Sequence, residues 1–218
     1  MFTLVPRPSL ILFAIFVIAG LPSDAAFAQD RNALRTDLPP ALAERLVNER
    51  LARAACNRLI CGAARSKKAE GAPISCKVVK TWPAQDLGTK ILKGKMEWKW
   101  GHAQCEIEEK LDRALLVKAM TEPKVEIKFG KRHVACTLEQ EDGKGMHRIA
   151  FMVNPTVTFE NGKAIKGVFG WSEVVGDPFA KTALQSVTIV DNAFNVLQSS
   201  LVDGVNEFFG PECDDVLK

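Results

Sequence analysis

The chain contains no tyrosine and only three histidines among its 218 residues. It also lacks the short motifs that accompany common enzyme chemistry: the G-x-S-x-G nucleophile elbow, the H-E-x-x-H zinc motif, the phosphate-binding P-loop and the G-x-G-x-x-G dinucleotide loop. These absences argue against the enzyme classes that depend on those motifs. The sequence therefore predicts a protein that is not an enzyme and needs no cofactor.

Long apolar runs are scarce too, and the longest, at 10–19, is confined to the N-terminus. Such a run is too short for a helix that needs about 20 residues to cross a bilayer. Arg7 precedes it and the small residues Ala26 and Ala28 follow it, which is the order of a secretory signal. We therefore predict a signal peptide at 1–28, and a periplasmic or secreted mature chain without a transmembrane span.

The formal net charge of +3 is too small to indicate a nucleic-acid partner, but the charges are unevenly placed. Residues 29–70 hold nine basic and five acidic side chains, whereas 202–218 hold one basic and five acidic. The two ends either dock on each other or form separate solvated surfaces. The segment KGKMEWKW has the lysine and tryptophan content of single-strand binders. Tryptophan on an inward strand face is more often core, so no nucleic-acid partner is predicted.

The first part of the mature chain is predicted to be a linker followed by a helix. The linker at 29–40 is polar and ends in two prolines, and the helix extends over 41–61. Its apolar residues at helical spacing are Leu42, Leu46, Ala55 and Leu59, with Leu51 beside them. Pro40 suits the first helical position and Gly62 suits the end.

The middle of the chain alternates between apolar and polar residues, which predicts antiparallel strands with one solvated face. The strand-like segments read CKVVKTW, KMEWKW, AQCEIEEKL, KVEIKF, HVACTLE and IAFMVNPTVTFENGKAIKGVFGW. In the last of these, Asn161-Gly162 is typical of a two-residue hairpin turn. A short helix is expected at 112–120. About six strands in a β-meander follow from this pattern.

The C-terminal part returns to helical spacing. Asp177 suits an N-cap and Pro178 a first helical residue. Apolar residues recur every three or four positions, at Ala183, Val187, Val190, Phe194, Leu197, Leu201, Val205 and Phe208. One long helix ending at Gly210-Pro211 is therefore expected to pack on the sheet. The predicted fold is a single α+β domain at 41–218: an antiparallel meander against a long C-terminal helix, with an N-terminal helix tied on by disulfides.

The cysteines predict a disulfide framework. Six remain after cleavage, an even number for an oxidising compartment: Cys56, Cys61, Cys76, Cys105, Cys136 and Cys213. Cys56 and Cys61 are five apart on one helix, about 8 Å, which exceeds the limit for a bridge. Cys105 and Cys136 both lie mid-strand on inward faces and suit each other. The short loop favours Cys61–Cys76, which leaves Cys56–Cys213.

Zinc is the alternative for two of these cysteines, because His102-x-x-Cys105 and His133-x-x-Cys136 repeat one spacing. On a strand, residues i and i+3 point to opposite faces. Each histidine would then face away from its own cysteine, and pairing through the cysteines would place the two histidines about 20 Å apart. A Cys₂His₂ site needs all four ligands to converge on the metal. The spacing therefore favours a disulfide and no metal.

These features predict a non-enzymatic binding or envelope-interaction protein whose partner is a small apolar ligand or an envelope protein. An apolar gap between sheet and C-terminal helix would hold a small lipophilic ligand or a hydrophobic peptide. Its predicted lining is Met96, Trp98, Trp100, Phe169, Trp171, Phe194, Leu197 and Leu201. The alternative is that these side chains simply fill the core.

Two other functions fit parts of the sequence. Glu106 and Glu108 share one strand face, and a carboxylate pair can perform acid–base chemistry in a hydrolase. A concave pocket around them would favour that function, and a convex solvated face would not. An inhibitor of a foreign enzyme is the other alternative, and it would present an exposed rigid loop such as 141–146.

Overall fold

The structure, a computed structural model, describes residues 35–87, 100–140, 144–195 and 197–218. The predicted signal peptide at 1–28, the beginning of the linker and most of the predicted KMEWKW strand lie outside the described residues. Among the helices that are described, none combines the length and apolar character needed to cross a membrane.

Eight described strands form two antiparallel sheets. They are β1 (Ile74–Trp82), β2 (Ala103–Leu111), β3 (Lys124–Lys128), β4 (Arg132–Glu139), β5 (Met146–Val153), β6 (Thr156–Glu160), β7 (Lys163–Val168) and β8 (Ser172–Gly176). The five-stranded sheet has the order β1-β2-β4-β5-β8, and the three-stranded sheet has the order β3-β6-β7. The predicted α+β class with antiparallel pairing is confirmed.

The helices lie at the two ends of the chain and between β2 and β3. They are α1 (Pro40–Ser66), α2 (Arg113–Thr121), α3 (Pro178–Phe194), α4 (Gln198–Glu207) and α5 (Cys213–Val216), with a single turn at Ala84–Asp86. The predicted short helix is α2, and the Asp112 carboxylate caps it by accepting from the Ala114 N–H at 2.8 Å.

The segment predicted as one continuous strand before the hairpin is two strands in different sheets. β5 ends at Val153 and β6 begins at Thr156, with Asn154 and Pro155 between them. Proline has no N–H to continue a ladder, so the chain leaves the five-stranded sheet here. β6 and β7 then join through Asn161 and Gly162 at φ 51° and 78°, as predicted for this turn.

Inward side chains of both sheets share one core. Phe151 and Val134 from the five-stranded sheet and Phe159 and Val157 from the three-stranded sheet are all essentially inaccessible. Burial of aromatic and branched side chains is the main favourable contribution to folding. The opposite face of the five-stranded sheet is therefore its outer face.

The helix α1 is longer than predicted and presents a different face to the protein. It continues through Gly62 to Ser66, because Ala63 and Ala64 are good helix formers and are buried, and it ends at Lys67 in the left-handed region. Leu42 is buried as expected. The prediction that Ala55 and Leu59 lie on the same buried stripe was wrong, since both are exposed together with Leu51.

The disulfides explain that orientation. Cys56 and Cys61 are both buried and bridged, so the second half of α1 turns its cysteine face inward. Ala55 and Leu59, each a single position from Cys56 and Ile60, are rotated by about 100° to the outside. Ala55 and Leu59 have the same helical spacing as Leu42 but are exposed, because the disulfides at Cys56 and Cys61 determine which face of α1 is buried.

Two predicted pairings were wrong and one is confirmed. Cys105 lies opposite Cys136 on adjacent strands and is bridged to it. The others are Cys56–Cys76 and Cys61–Cys213, with Cα atoms 6.0 and 5.2 Å apart. They replace the predicted Cys61–Cys76 and Cys56–Cys213.

The cysteine partners differ from the predicted ones because α1 continues past Gly62. β1 returns alongside the helix, and Ile74 packs against Ile60 and Ala63. Cys76 is two strand residues further on, about 6.6 Å, a distance that corresponds to roughly four residues of helix. Cys76 therefore meets Cys56, and Cys61 is left for the C-terminal tail. The basic helix and acidic tail do dock, since Arg65 pairs with Asp214 at 2.6 Å.

The long C-terminal helix predicted from the apolar stripe is two helices. Asn195 adopts φ 51° and ends α3, a conformation that asparagine tolerates better than most residues. The buried Asp191 carboxylate then accepts from the Leu197 N–H at 2.8 Å and so caps the start of α4. A further kink at Gly210 leads to α5.

Two asparagines fasten these helices to backbone at the sheets. The Asn206 side chain accepts from the Ala164 N–H at 2.8 Å and donates to the Ala164 carbonyl at 2.9 Å. Asn192 makes the same double contact with Trp171, at 3.1 and 2.9 Å. Each amide acts like a short partner strand for one residue, which satisfies backbone groups at the edge.

Candidate functional site

Four of the side chains predicted to line an apolar gap instead pack together in the core. Phe169 and Leu201 are 1% exposed, Trp171 is 4% exposed and Leu197 is 8% exposed. Trp171 lies with its ring centroid 5.2 Å from that of Phe169 and 5.3 Å from that of Phe151. Leu201 fills the space over Gly167, where an added Cβ would lie 2.8 Å from it.

The remaining predicted lining residues are placed only in part. Trp100 is half-buried, whereas Met96 and Trp98 lie outside the described residues, as does the side chain of Phe194. The Trp171 indole N–H donates to the Asp191 carboxylate at 2.8 Å. In this part of the protein, the described contacts are those of a packed core with an internal polar anchor.

The two predicted carboxylates lie on the outer face of β2, opposite the core. Glu106 forms an ion pair with Lys77 of β1 at 2.7 Å, and Glu108 pairs with Lys110 at 3.3 Å. Their side chains are 48% and 63% exposed. Both carboxylates therefore share a face as predicted, and each has a cationic partner in contact with solvent.

A shallow open depression of about 360 Å³ surrounds them. Its lining combines four cationic side chains, a histidine and the two carboxylates with two apolar residues, namely Lys77, Lys110, Lys131, Arg132, His133, Glu106, Glu108, Ile107 and Met152. Lys131 also pairs with Glu173 at 3.1 Å. The depression thus carries charges of both signs, and most of these charges are paired with one another in the described ion pairs.

Arg132 is the fixed member of this group. Its guanidinium contacts the Glu109 carboxylate at 3.3 Å and donates to the carbonyls of Lys110 and Lys131. Burial raises the pKa of Glu109, and the neighbouring Arg132 opposes that rise. Glu109 interrupted the apolar pattern of β2 in the sequence, and its structural role is to anchor Arg132 at one end of the depression.

Beside the charged residues, the outer face carries a row of small side chains. The register places Glu106 opposite Ala135, Ala135 opposite Ala150 and Ala150 opposite Val175. Val175 is 57% exposed. The half-buried Ala135 and Ala150, with Val175 beside them, give this face a small apolar patch next to the ion pairs.

The helix α1 covers the other end of the outer face through a buried acid. The Glu49 carboxylate accepts from the Thr81 N–H and from the Thr81 hydroxyl, both at 2.7 Å, and from the Gln104 amide at 3.1 Å. A buried carboxylate is stable only when its oxygens are hydrogen-bonded in this way. Sequence reasoning missed this contact because Glu49, four residues before Arg53, has the spacing of an ordinary surface pair.

The two H-x-x-C segments lie on neighbouring strands. The His102 carbonyl accepts from the Glu139 N–H at 3.0 Å, in the register expected for pairing through the cysteines. The His102 Nδ1 accepts from the Ala84 N–H at 3.0 Å. His133 lies in the charged depression. The cysteines of both segments are joined in the Cys105–Cys136 disulfide.

No protein family, curated protein or solved structure matches this chain. Within the described parts of the chain, no three His, Cys, Asp or Glu side chains are grouped so that they could hold a metal ion. Part of the loop at 141–146, suggested for an inhibitor, lies outside the described residues. What the protein does is therefore inferred from its own outer sheet face.

Proposed function

We propose that this chain is a secreted or periplasmic interaction protein without enzymatic activity, which binds a polar segment of an envelope protein on the outer face of its five-stranded sheet. The observation that carries the proposal is the shape and charge of that face. It is open, with small side chains at Ala135 and Ala150 beside side chains of both charge signs. Polar-rimmed patches of this kind are typical of protein–protein contacts.

The depression around Glu106 and Glu108 is the concave shape that would favour the hydrolase, but the exposure and ion pairs of the two carboxylates favour binding. Acid–base catalysis works best where water is excluded and electrostatic interactions are strong. Glu106 and Glu108 instead lie on an open face and are each held by a lysine. Such pairs are worth little to stability, and they are well suited to exchange partners with charges on another protein.

The covalent framework supports the compartment. Three disulfides join all six cysteines of the mature sequence. Disulfides of this number persist in oxidising environments such as the periplasm or the cell exterior. They fit an extracellular or periplasmic protein, and an envelope protein is then the partner class within reach.

Site-specific photo-crosslinking in the native host tests the proposal. A photoreactive residue placed at Ala150 should give a discrete adduct with one envelope protein, while the same residue at Ile165, 45% exposed on β7, should not. Reversing both carboxylates with E106K and E108K should abolish the Ala150 adduct, because the depression would carry one sign only. The same adducts from both positions, or an adduct indifferent to charge reversal, would contradict the proposal.

The lipophilic ligand stays a prediction, since the described part of its predicted lining packs as core and the rest is not described. Tryptophan fluorescence of the native protein tests it. Saturable quenching or a blue shift with a fatty acid would support a ligand between sheet and C-terminal helices. A flat titration would leave the packed core as the role of Phe169 and Trp171.

A further inference from the structure

The outward face of α1 is apolar although no described element of the protein covers it. Leu51 is 53% exposed and Leu59 is 51% exposed. From one end to the other, the residues on this face are Asn48, Leu51, Ala52, Ala55, Arg58, Leu59 and Gly62. Between 48 and 62 the only charged residue on this face is Arg58, which donates to the Val216 carbonyl of its own chain at 3.3 Å. A solvated helix face normally carries charged residues, so this one has the composition of a contact surface.

The face is symmetric about Ala55. Leu51 and Leu59 lie four residues before and after it, and Asn48 and Gly62 lie seven residues before and after it. Offsets of four and seven residues correspond to about one and two helical turns, so all five positions share one side of the helix. A second α1 placed antiparallel with its own Ala55 at the crossing would set each Leu51 against the other copy's Leu59.

Small side chains permit that approach. Ala55 at the crossing leaves room for helix axes at the usual separation of about 8–10 Å. At Gly62, an added Cβ would meet nothing within 4 Å, so the surface there is open in the single chain. The arrangement is self-complementary, as an isologous two-fold interface requires.

The charges at the ends of α1 favour the antiparallel arrangement. Glu44 is exposed near the N-terminal end, and the exposed Lys67 and Lys68 lie at the C-terminal end, next to Arg65, which is paired with Asp214 of its own chain. Glu44 precedes Ala55 by the same number of residues as Ser66 follows it. Antiparallel pairing therefore brings each Glu44 close to the basic end of the other helix and opposes the two helix dipoles.

We propose that the outward face of α1 is the interface between two copies of this chain, paired antiparallel about Ala55. This interface is separate from the outer sheet face and goes beyond the proposed function. A single helix pair buries less than the roughly 1,200–2,000 Å² of a standard stable interface. The dimer is therefore in concentration-dependent equilibrium with the monomer.

Sedimentation equilibrium of the mature protein, across micromolar concentrations, tests this directly. The wild type should show a monomer–dimer equilibrium. A55E and A55K, each alone, place like charges against each other at the crossing and should raise the dissociation constant at least about tenfold. An equimolar mixture of A55E and A55K should recover the dimer, because glutamate then faces lysine. The recovery also shows that both variants are folded.

The matched control is Ile189→Glu, which introduces the same charge at an exposed apolar residue of α3 that is 68% accessible. This variant should dimerise like the wild type. A wild type that stays monomeric throughout would overturn the proposal, and so would an undiminished A55E dimer. A mixture of A55E and A55K that remains monomeric would overturn the antiparallel crossing at Ala55.

Discussion

The N-terminal helix and the C-terminal helices are attached to the same sheets by different means. α1 is bridged at Cys56 and Cys61, and the residues it buries in its second half are mostly small, as at Ala63 and Ala64. α3 and α4 place large apolar side chains in the core, among them Leu184 and Leu201, and fasten their backbone contacts through asparagine.

The difference shows what determines the orientation of each helix. A buried alanine contributes far less than a buried leucine, so burial alone orients α1 weakly. The disulfides Cys56–Cys76 and Cys61–Cys213 orient α1 instead, and with this orientation Leu51 and Leu59 face outward. In α4 the apolar side chain Leu201 decides the orientation, because Gly167 below it leaves a space that only this side chain fills.

The largest effect is expected from removing the disulfide bridge between α1 and the C-terminal tail. Cys61 and Cys213 are 152 positions apart. In the chain-entropy model, replacing both by alanine should lower the free energy of unfolding by about 5 kcal/mol, against about 3 kcal/mol for the shorter Cys56–Cys76 loop. Urea unfolding of the two double variants measures the difference. Equal losses of unfolding free energy in the two double variants would mean that noncovalent contacts of the C-terminal tail, and not the Cys61–Cys213 bridge, hold α1.

Truncating a leucine to alanine should lower the free energy of unfolding much more in α4 than on the outward face of α1. Leu201→Ala removes a fully buried side chain and should cost about 2–5 kcal/mol. Leu59→Ala, on the outward face of α1, should change the free energy of unfolding of the monomer by less than about 0.5 kcal/mol. Denaturation at low protein concentration checks both. A large effect at Leu59 would show that this face packs within the chain.

The asparagine contact can be tested with a nearly isosteric change. Asn206→Asp keeps an acceptor for the Ala164 N–H but loses the donor to the Ala164 carbonyl, so it should cost about 1–3 kcal/mol. Asn192→Asp should act likewise at Trp171. Asn48→Asp, at an exposed position of α1, is the matched control and should have little effect. Comparable losses of stability in all three variants would show that the loss does not come from the contacts between asparagine and backbone.

The smallest expected effect is a pH dependence at Glu109. Because burial raises its pKa, the folded state keeps the proton to higher pH than the unfolded chain does. Stability from this group is therefore present at low pH and declines as the pH rises above about 4.3, the unfolded value. Relative to E109Q, the wild type should lose stability between acid and neutral pH. Glu160→Gln, at an exposed ion pair, is the control, and an equal slope there would refute the assignment.

The sequence predicted the local features of the fold correctly because their determinants are local. The alternation of apolar and polar residues predicted most of the described strands. Asn161 and Gly162 predicted the hairpin turn. The inward-facing positions of Cys105 and Cys136 on their strands predicted the disulfide between them. The break at Asn195 was missed because the apolar stripe continues across it. At the break Asn195 adopts the left-handed conformation, and the buried Asp191 carboxylate accepts from both the Leu197 N–H and the distant Trp171 indole N–H, a tertiary contact that spacing does not reveal.

The candidate site was predictable only in part. The shared face of Glu106 and Glu108 follows from strand periodicity. Their neighbours do not, since Lys77 reaches Glu106 only through the β1–β2 register. The buried face of α1 also escaped prediction, because it depends on which cysteines are bridged. The disulfide pairing thus links the sequence to the exposed face of α1, whereas strand register links it to the outer sheet face.

The proposed interface on α1 requires the helix orientation that Cys56–Cys76 and Cys61–Cys213 impose, so it depends directly on this pairing. Trypsin cleaves after Arg58 and separates Cys56 from Cys61, which makes the pairing readable by mass spectrometry of the unreduced digest. We expect peptide 54–58 to be linked to 69–77, and peptide 59–65 to be linked to the peptide containing Cys213. Peptide 59–65 linked to 69–77 would contradict this pairing.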